Sequence, residues 1–356
     1  RQIKALEVMI RTTQNLNLWQ DAKNYTEKLT ALSEQSNDDY GKVSSLLNQG
    51  VLSYHEKKIE EAEKKWVEII QIDPNGQFSE ITGLAYNHLA HIYLMKGNTT
   101  LAQQHFTEAF KLAERNQNRF LEFVLRLNYA EFLANYKYKF EMAIQSLNRC
   151  QQLIHEMDLT YQRLWVQNNL AVIYTQLGEF GKARYFLEEA LSYQNQAGIP
   201  EDIGVLFNLG VLYWHLGQLD DAKKYLIRAQ QHSEIQNDIL THAKVLANLG
   251  TIYKTRGNEH KAFDYYQKAL AIFEELNMEI EIADLMNNLA NLNFQLGDLE
   301  SAKKSLLIAL QTYFHHSLIS SIAQAQINLG YIELENDRII PAKLNFSRAL
   351  AGAKKT

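Results

Sequence analysis

The chain repeats itself every forty residues, and that period constrains its fold more than any single motif does. The clearest copy runs from Trp165 to Tyr193, WVQNNLAVIYTQLGEFGKARYFLEEALSY. Its fixed points Asn169, Ala171, Tyr174, Gly178, Ala183, Leu187 and Ala190 return as Asn208, Gly210, Tyr213, Gly217, Ala222, Leu226 and Ala229. Each copy reads as two amphipathic helices, A then B, around a tight turn. The small residue of helix A serves as a marker: Gly50, Ala90, Ala130, Ala171, Gly210, Gly250, Ala290 and Gly330. The steps between markers are 40, 40, 41, 39, 40, 40 and 40 residues. An alanine of helix B follows twelve residues later at Ala62, Ala102, Ala183, Ala222, Ala262, Ala302 and Ala342. In the third copy it is Ala143, thirteen later, so that turn (Asn135 to Phe140) carries one extra residue. Ile10 and Ala22 keep the phase upstream. Residues 1–40 therefore read as a degenerate first repeat, with Asn17 in place of the turn glycine, and 41–356 as eight regular ones forming one domain.

The slots have physical reasons. Two helices that cross closely need Gly or Ala where their backbones meet. Tyr93, Tyr174, Tyr213 and Tyr253 fill the space between neighbouring helices. Gly97, Gly178, Gly217, Gly257 and Gly297 end helix A, where a positive φ costs glycine least. No single repeat can bury its apolar stripe alone, so stability must come from stacking on neighbours. The pattern resembles the tetratricopeptide repeat (TPR) over the whole chain, in a form about six residues longer than the usual unit of roughly 34. That resemblance implies an all-α fold: an α-solenoid, a right-handed superhelix of about nine TPR helix-turn-helix repeats.

Composition excludes several classes. Only three prolines occur, as a nearly all-helical chain requires. Net charge is −5, from 36 basic and 41 acidic residues, which argues against nucleic-acid binding by this segment. The single cysteine, Cys150, cannot form an internal disulfide, and its helix-B slot predicts a buried, inert thiol. No apolar run approaches the ~20 residues that span a bilayer, and no signal peptide is visible, so a cytoplasmic location is expected. A chain that opens on Arg1 is expected to be cut from something longer. The last repeat is followed by no polar capping helix, so Ile339, Ile340, Leu344, Phe346 and Leu350 are expected partly open, inviting a homodimer through the C-terminal repeats.

The chemistry of an enzyme is missing from the motifs. There is no phosphate-binding glycine loop and no nucleophile elbow, and nine of the sixteen glycines belong to marker and turn slots. His88 and His91 share a helix face but lack further ligands nearby, so neither a metal nor a cofactor is expected.

One feature exceeds what packing requires. Two residues before each marker stand Asn48, His88, Asn128, Asn169, Asn208, Asn248, Asn288 and Asn328. Asparagine is a poor helix former, costing roughly 0.5 kcal/mol against alanine. The TPR resemblance implies that this slot faces the inner groove. A row of carboxamides there can donate to and accept from an extended peptide backbone. The alternative is inheritance by duplication, with the asparagines unused or holding the next helix. Helical spacing adds Trp165, Gln176, Trp214, His215, Lys244, Lys254 and Asn291 to the same face, with Arg126 near it. Such a lining suits a short peptide with apolar side chains and a carboxylate. Trp165 and Trp214 serve equally well as inter-helix packing.

The number of long repeats and the asparagine-lined groove resemble the peptide-pheromone receptors of Gram-positive bacteria, the Rap, NprR and PlcR group. The resemblance implies that Asn169, Asn208, Asn248, Asn288 and Asn328 touch a short quorum-sensing peptide, with Asn128 next in the same row. It also implies a switch in a transcriptional regulator or a response-regulator phosphatase, and a response regulator or other protein as partner. Two alternatives stand beside it: a TPR scaffold or adaptor, and a small-molecule-sensing domain resembling MalT-like activators.

Overall fold

A computed structural model describes residues 2–16, 18–316 and 318–353. Asn17, placed in the first turn by the sequence, lies outside the described residues. Among those described there are eighteen helices and no strand. They pair into nine hairpins: α1 (Gln2–Asn15) with α2 (Trp19–Ser36), α3 (Asp39–His55) with α4 (Ile59–Ile72), and α5 (Ser79–Met95) with α6 (Thr99–Arg115). Next come α7 (Arg119–Lys137) with α8 (Phe140–Met157), α9 (Arg163–Gln176) with α10 (Phe180–Ala197), and α11 (Ile203–His215) with α12 (Leu219–Ile235). The last are α13 (Ile239–Thr255) with α14 (Glu259–Glu275), α15 (Glu279–Gln295) with α16 (Leu299–His315), and α17 (Ile319–Glu335) with α18 (Ile339–Ala353). Odd-numbered helices are the A helices. The chain is an all-α TPR solenoid, built as two compact units, Arg1–Asn169 and Leu170–Thr356, with the boundary inside α9.

In the second unit the repeat's slots can be followed into contacts. Gly210 and Gly250 are the points where helix B crosses helix A. A Cβ added at either would lie 2.6 Å from Leu226 or Tyr266 respectively, so alanine does not fit. Tyr266 is fully buried beneath Gly250, and its hydroxyl emerges to hydrogen-bond with Thr251 at 3.1 Å. The slot tyrosines stack on helix B of their own repeat: Tyr213 on Tyr225 at 5.4 Å and Tyr253 on Tyr265 at 5.3 Å. Successive hairpins then share cores, as where Leu206, Leu226, Leu249 and Ile252 are buried together.

The first unit uses the same plan. Trp66 is buried under Gly50 and joins Val43, Leu89 and Ile92 in one core. Each turn between A and B needs one left-handed residue. Glycine supplies it at Gly97, Gly178, Gly217, Gly257 and Gly297, whereas Lys57, Tyr138 and Asp337 take it at φ 63°, 51° and 57°. The extra residue of the third repeat is absorbed by lengthening α7 to Lys137 and placing exposed Tyr138 at that cap. Asp202, Asp238, Asn258 and Asp298 cap their helices by accepting from the backbone N–H three residues on.

Cys150 is fully buried, and burial pushes its thiol up to about 12. Among the described residues no helix is long and apolar enough to cross a membrane.

Candidate functional site

The A helices α11, α13, α15 and α17 of the second unit touch one another in sequence. Their buried positions define where the open face lies. In α11 these are Ile203, Val205, Leu206, Leu209, Gly210 and Leu212. At 100° per residue they occupy half of the helix circumference. The remaining arc is centred on the positions six before, one after and five after the marker. The asparagine slot sits at one edge of that arc. The positions three before and four after the marker sit at the other edge. The asparagines therefore line seams between adjacent A helices rather than the middle of the face.

Contacts bear this out and correct part of the sequence reading. The side-chain nitrogen of Asn328 donates to Oδ1 of Asn287 on α15 at 3.0 Å. In the first unit, Asn128 donates in the same way to Asn87 on α5 at 3.1 Å. Packing does call for a carboxamide at these two places: it clasps one A helix to the one before. The partner is the residue three before the preceding marker. Where that residue is apolar, as with Leu127 and Phe207, the asparagine turns back onto its own helix. Asn169 donates to the carbonyl of Trp165 at 2.8 Å and Asn248 to that of Lys244 at 2.9 Å. Asn48 does likewise, donating to Ser44 at 2.8 Å. His88, which breaks the row, stacks on Trp66 at 4.6 Å, and His91 meets the edge of Phe106. Asn208 is half-buried on α11.

Asn288 faces the seam where the preceding residue is Ala247, and it has no hydrogen-bond partner among the described residues. Asn291, one turn along on the open arc of α15, has none either. Across this α13–α15 seam stands Lys254, four after its marker. It is half-buried and has no acidic or hydrogen-bonding partner among the described residues. Burial alone pushes its amine below the ordinary lysine value. Lys244 differs, since its amine lies 3.5 Å from Glu281 of α15.

The other sequence candidates are distributed as follows. Trp214 is half-buried against the core shared by α11 and α13, so it packs between helices and shows an edge to the face. His215 stacks on Phe180 at 5.7 Å, and burial lowers its pKa. Gln176 is exposed at the end of α9. Trp165 belongs to the first unit, is 43% exposed and meets the ring of Tyr161 edge-on at 6.4 Å. Arg126 is a correction. Two residues along a helix is a turn of 200°, which puts it on the side opposite Asn128. There its Nε donates to Glu122 at 2.7 Å and its guanidinium covers Phe110 at 5.7 Å. It lines a cleft of about 560 Å³ between α6, α7 and α8, away from the ladder. Asn87 and Asn287 were missed. The signal for them was present: asparagine recurs three before the marker at Asn87, Asn168 and Asn287.

Comparison with known proteins fits this architecture. A general tetratricopeptide-repeat model matches residues 84–116. The transcriptional activator NprA of Geobacillus stearothermophilus is 20% identical over 312 residues, covering 82% of this chain and 76% of NprA. The heat shock protein sti1 homolog of Schizosaccharomyces pombe is 39% identical over 90 residues, a quarter (25%) of this chain, which spans only 15% of that protein. Among solved structures, a Rap protein complexed with competence and sporulation factor superposes with a TM-score of 0.73 at 16% identity, over 99% of this chain and 98% of that one. NprR in complex with its cognate peptide NprX gives 0.56 at 13% identity, over 71% and 74%. At such identities the likeness is one of fold. The model described as the MalT-like TPR region matches residues 165–356, more than half of the sequence, and the chain belongs to that family.

Proposed function

We propose that this chain is a regulatory domain that senses a short signalling peptide along the A-helix face of its second unit. The observation that carries the reading is a pair of carboxamides on one open arc of α15, Asn288 and Asn291, that have no hydrogen-bond partner among the described residues. A carboxamide offers two donors and an acceptor, which matches the alternation of an extended backbone. Apolar side chains on the same face, Val211 and Trp214 of α11 and Phe294 of α15, give a peptide surface to bury. Asn208, Asn248 and Asn328 extend the row, and Asn248 can exchange a bond within its own helix for one to the ligand. The fold shared with NprR, whose structure holds its cognate peptide, supports the same use here.

In this reading occupancy shifts the population of repeat arrangements and so changes binding to a transcriptional regulator's other domains or to a response regulator. The chain itself performs no chemistry, and the setting is cytoplasmic. Self-association runs through α17 and α18, where Ile339 and Ile340 are 70% and 83% exposed. Fluorescence anisotropy with a labelled heptapeptide library tests the proposal. Binders should emerge, and Asn288→Ala should weaken them at least fivefold with unchanged helicity. A library without binders, or equal affinity in the variant, overturns it. Binding of only a small non-peptide metabolite points to the sensing mode suggested for MalT-like activators instead.

A further inference from the structure

The site has a charge that nothing among the described residues answers. The position four after the marker is Tyr54, Leu94, Ala134, Thr175, Trp214, Lys254, Phe294 and Leu334 along the array. Lys254 is the one ionisable amine in a row that is otherwise mostly apolar. Its register neighbours on the adjacent A helices are Trp214 and Phe294. A lysine in such a place normally finds a carboxylate or reaches water. Lys244 found Glu281, and Lys303 found Glu333 at 2.7 Å. Lys254 is half-withdrawn from water with no such partner among the described residues. Taking an ammonium out of water without a counter-charge is unfavourable, so the folded chain holds a standing preference for an anion at this point. The partner's chemistry follows from the surroundings. The flanking aromatic residues favour apolar side chains on either side of the negative group, and Asn288 and Asn291 favour an amide backbone carrying it.

Resting on the peptide reading above, we infer that Lys254 selects peptides bearing one carboxylate with apolar residues beside it. That carboxylate is either an Asp or Glu side chain or the free C-terminus. The ammonium donates to the carboxylate oxygens, and the ligand's burial strengthens that bond relative to water. Lys254 is thus a specificity residue, distinct from the asparagines that hold the backbone.

The test uses the full chain and the tightest members of the heptapeptide library. Each is made in four forms: unchanged, acidic side chain replaced by its amide, C-terminus amidated, and both. Affinities are measured by anisotropy for the wild type, Lys254→Met and Lys254→Arg. Neutralising the relevant carboxylate should weaken wild-type binding at least tenfold. The same change should alter Lys254→Met less than twofold, while Lys254→Arg keeps most of the discrimination. The side-chain and C-terminal forms identify which carboxylate is read. Wild-type binding that ignores both carboxylates overturns the inference while leaving the peptide reading intact. So does discrimination that persists in Lys254→Met. If no heptapeptide binds in any form, the peptide reading falls and this inference falls with it.

Discussion

Asn328 reaches back across one repeat to donate its side-chain N–H to Asn287, 3.0 Å away on the preceding A helix. The bond joins two half-buried carboxamides at a seam, so it holds neighbouring repeats in register. A net contribution of about 1 kcal/mol is expected. Asn328→Ala and Asn287→Ala should each lower the urea midpoint, and the double variant should cost little more than either alone. A double-mutant cycle returning purely additive losses would show that the pair does not act as a unit. Asn288→Ala, which breaks no bond, should leave the midpoint in place.

Gly250 is the second target. A methyl group there meets the ring of buried Tyr266 at 2.6 Å. Gly250→Ala should destabilise the chain by about 1–3 kcal/mol, the range for overpacking. Adding Tyr266→Leu should restore part of the loss, because the next repeat buries an alanine and a leucine, Ala290 and Leu306, together at the corresponding positions. Thermal melts of the single and double variants check this.

Acid sensitivity follows from the histidines of the first unit. Burial lowers His88 from 6.5 to about 4 when folded. As pH falls, the unfolded chain therefore takes up this proton first. The contribution of neutral His88 is complete above about pH 6.5 and is lost as pH drops toward 4. His91 is shifted the same way by burial. His88→Phe preserves an aromatic stack on Trp66 and should flatten the pH dependence. Denaturant midpoints at pH 7.5 and 4.5, compared between wild type and variant, measure the difference.

Cys150 should be silent in the native chain. Its thiol is fully buried, 3.6 Å from the carbonyl of Phe123, and its pKa is raised to about 12. A disulfide reagent such as Ellman's should react only as fast as the surrounding helices open, and at once in guanidinium. Rapid native labelling would contradict the packing of α7 against α8.

Much of the fold was open to reading before any coordinates. The forty-residue phase placed Gly250 over helix B and Tyr213 against it, because both depend on spacing within one repeat. The TPR class followed from the same slots. What lay outside a one-repeat view was harder. The role of Asn328 depends on Asn287, forty-one residues away and on the far edge of another helix. Arg126 reads as near the asparagine face, although two steps along a helix reverse direction. The isolation of Lys254, against the pairing of Lys244, is a property of neighbours that spacing cannot supply. The division of the helices at Asn169 and Leu170 leaves no mark in the repeat pattern.

The left-handed turns have one more consequence. Lys57, Tyr138 and Asp337 hold positive φ where the matching turns of other repeats hold glycine. An ordinary side chain in that conformation costs on the order of 1 kcal/mol. Changing Lys57 or Asp337 to glycine would recover part of it. A chain that leaves such gains unclaimed is sturdy enough rather than as sturdy as its architecture permits.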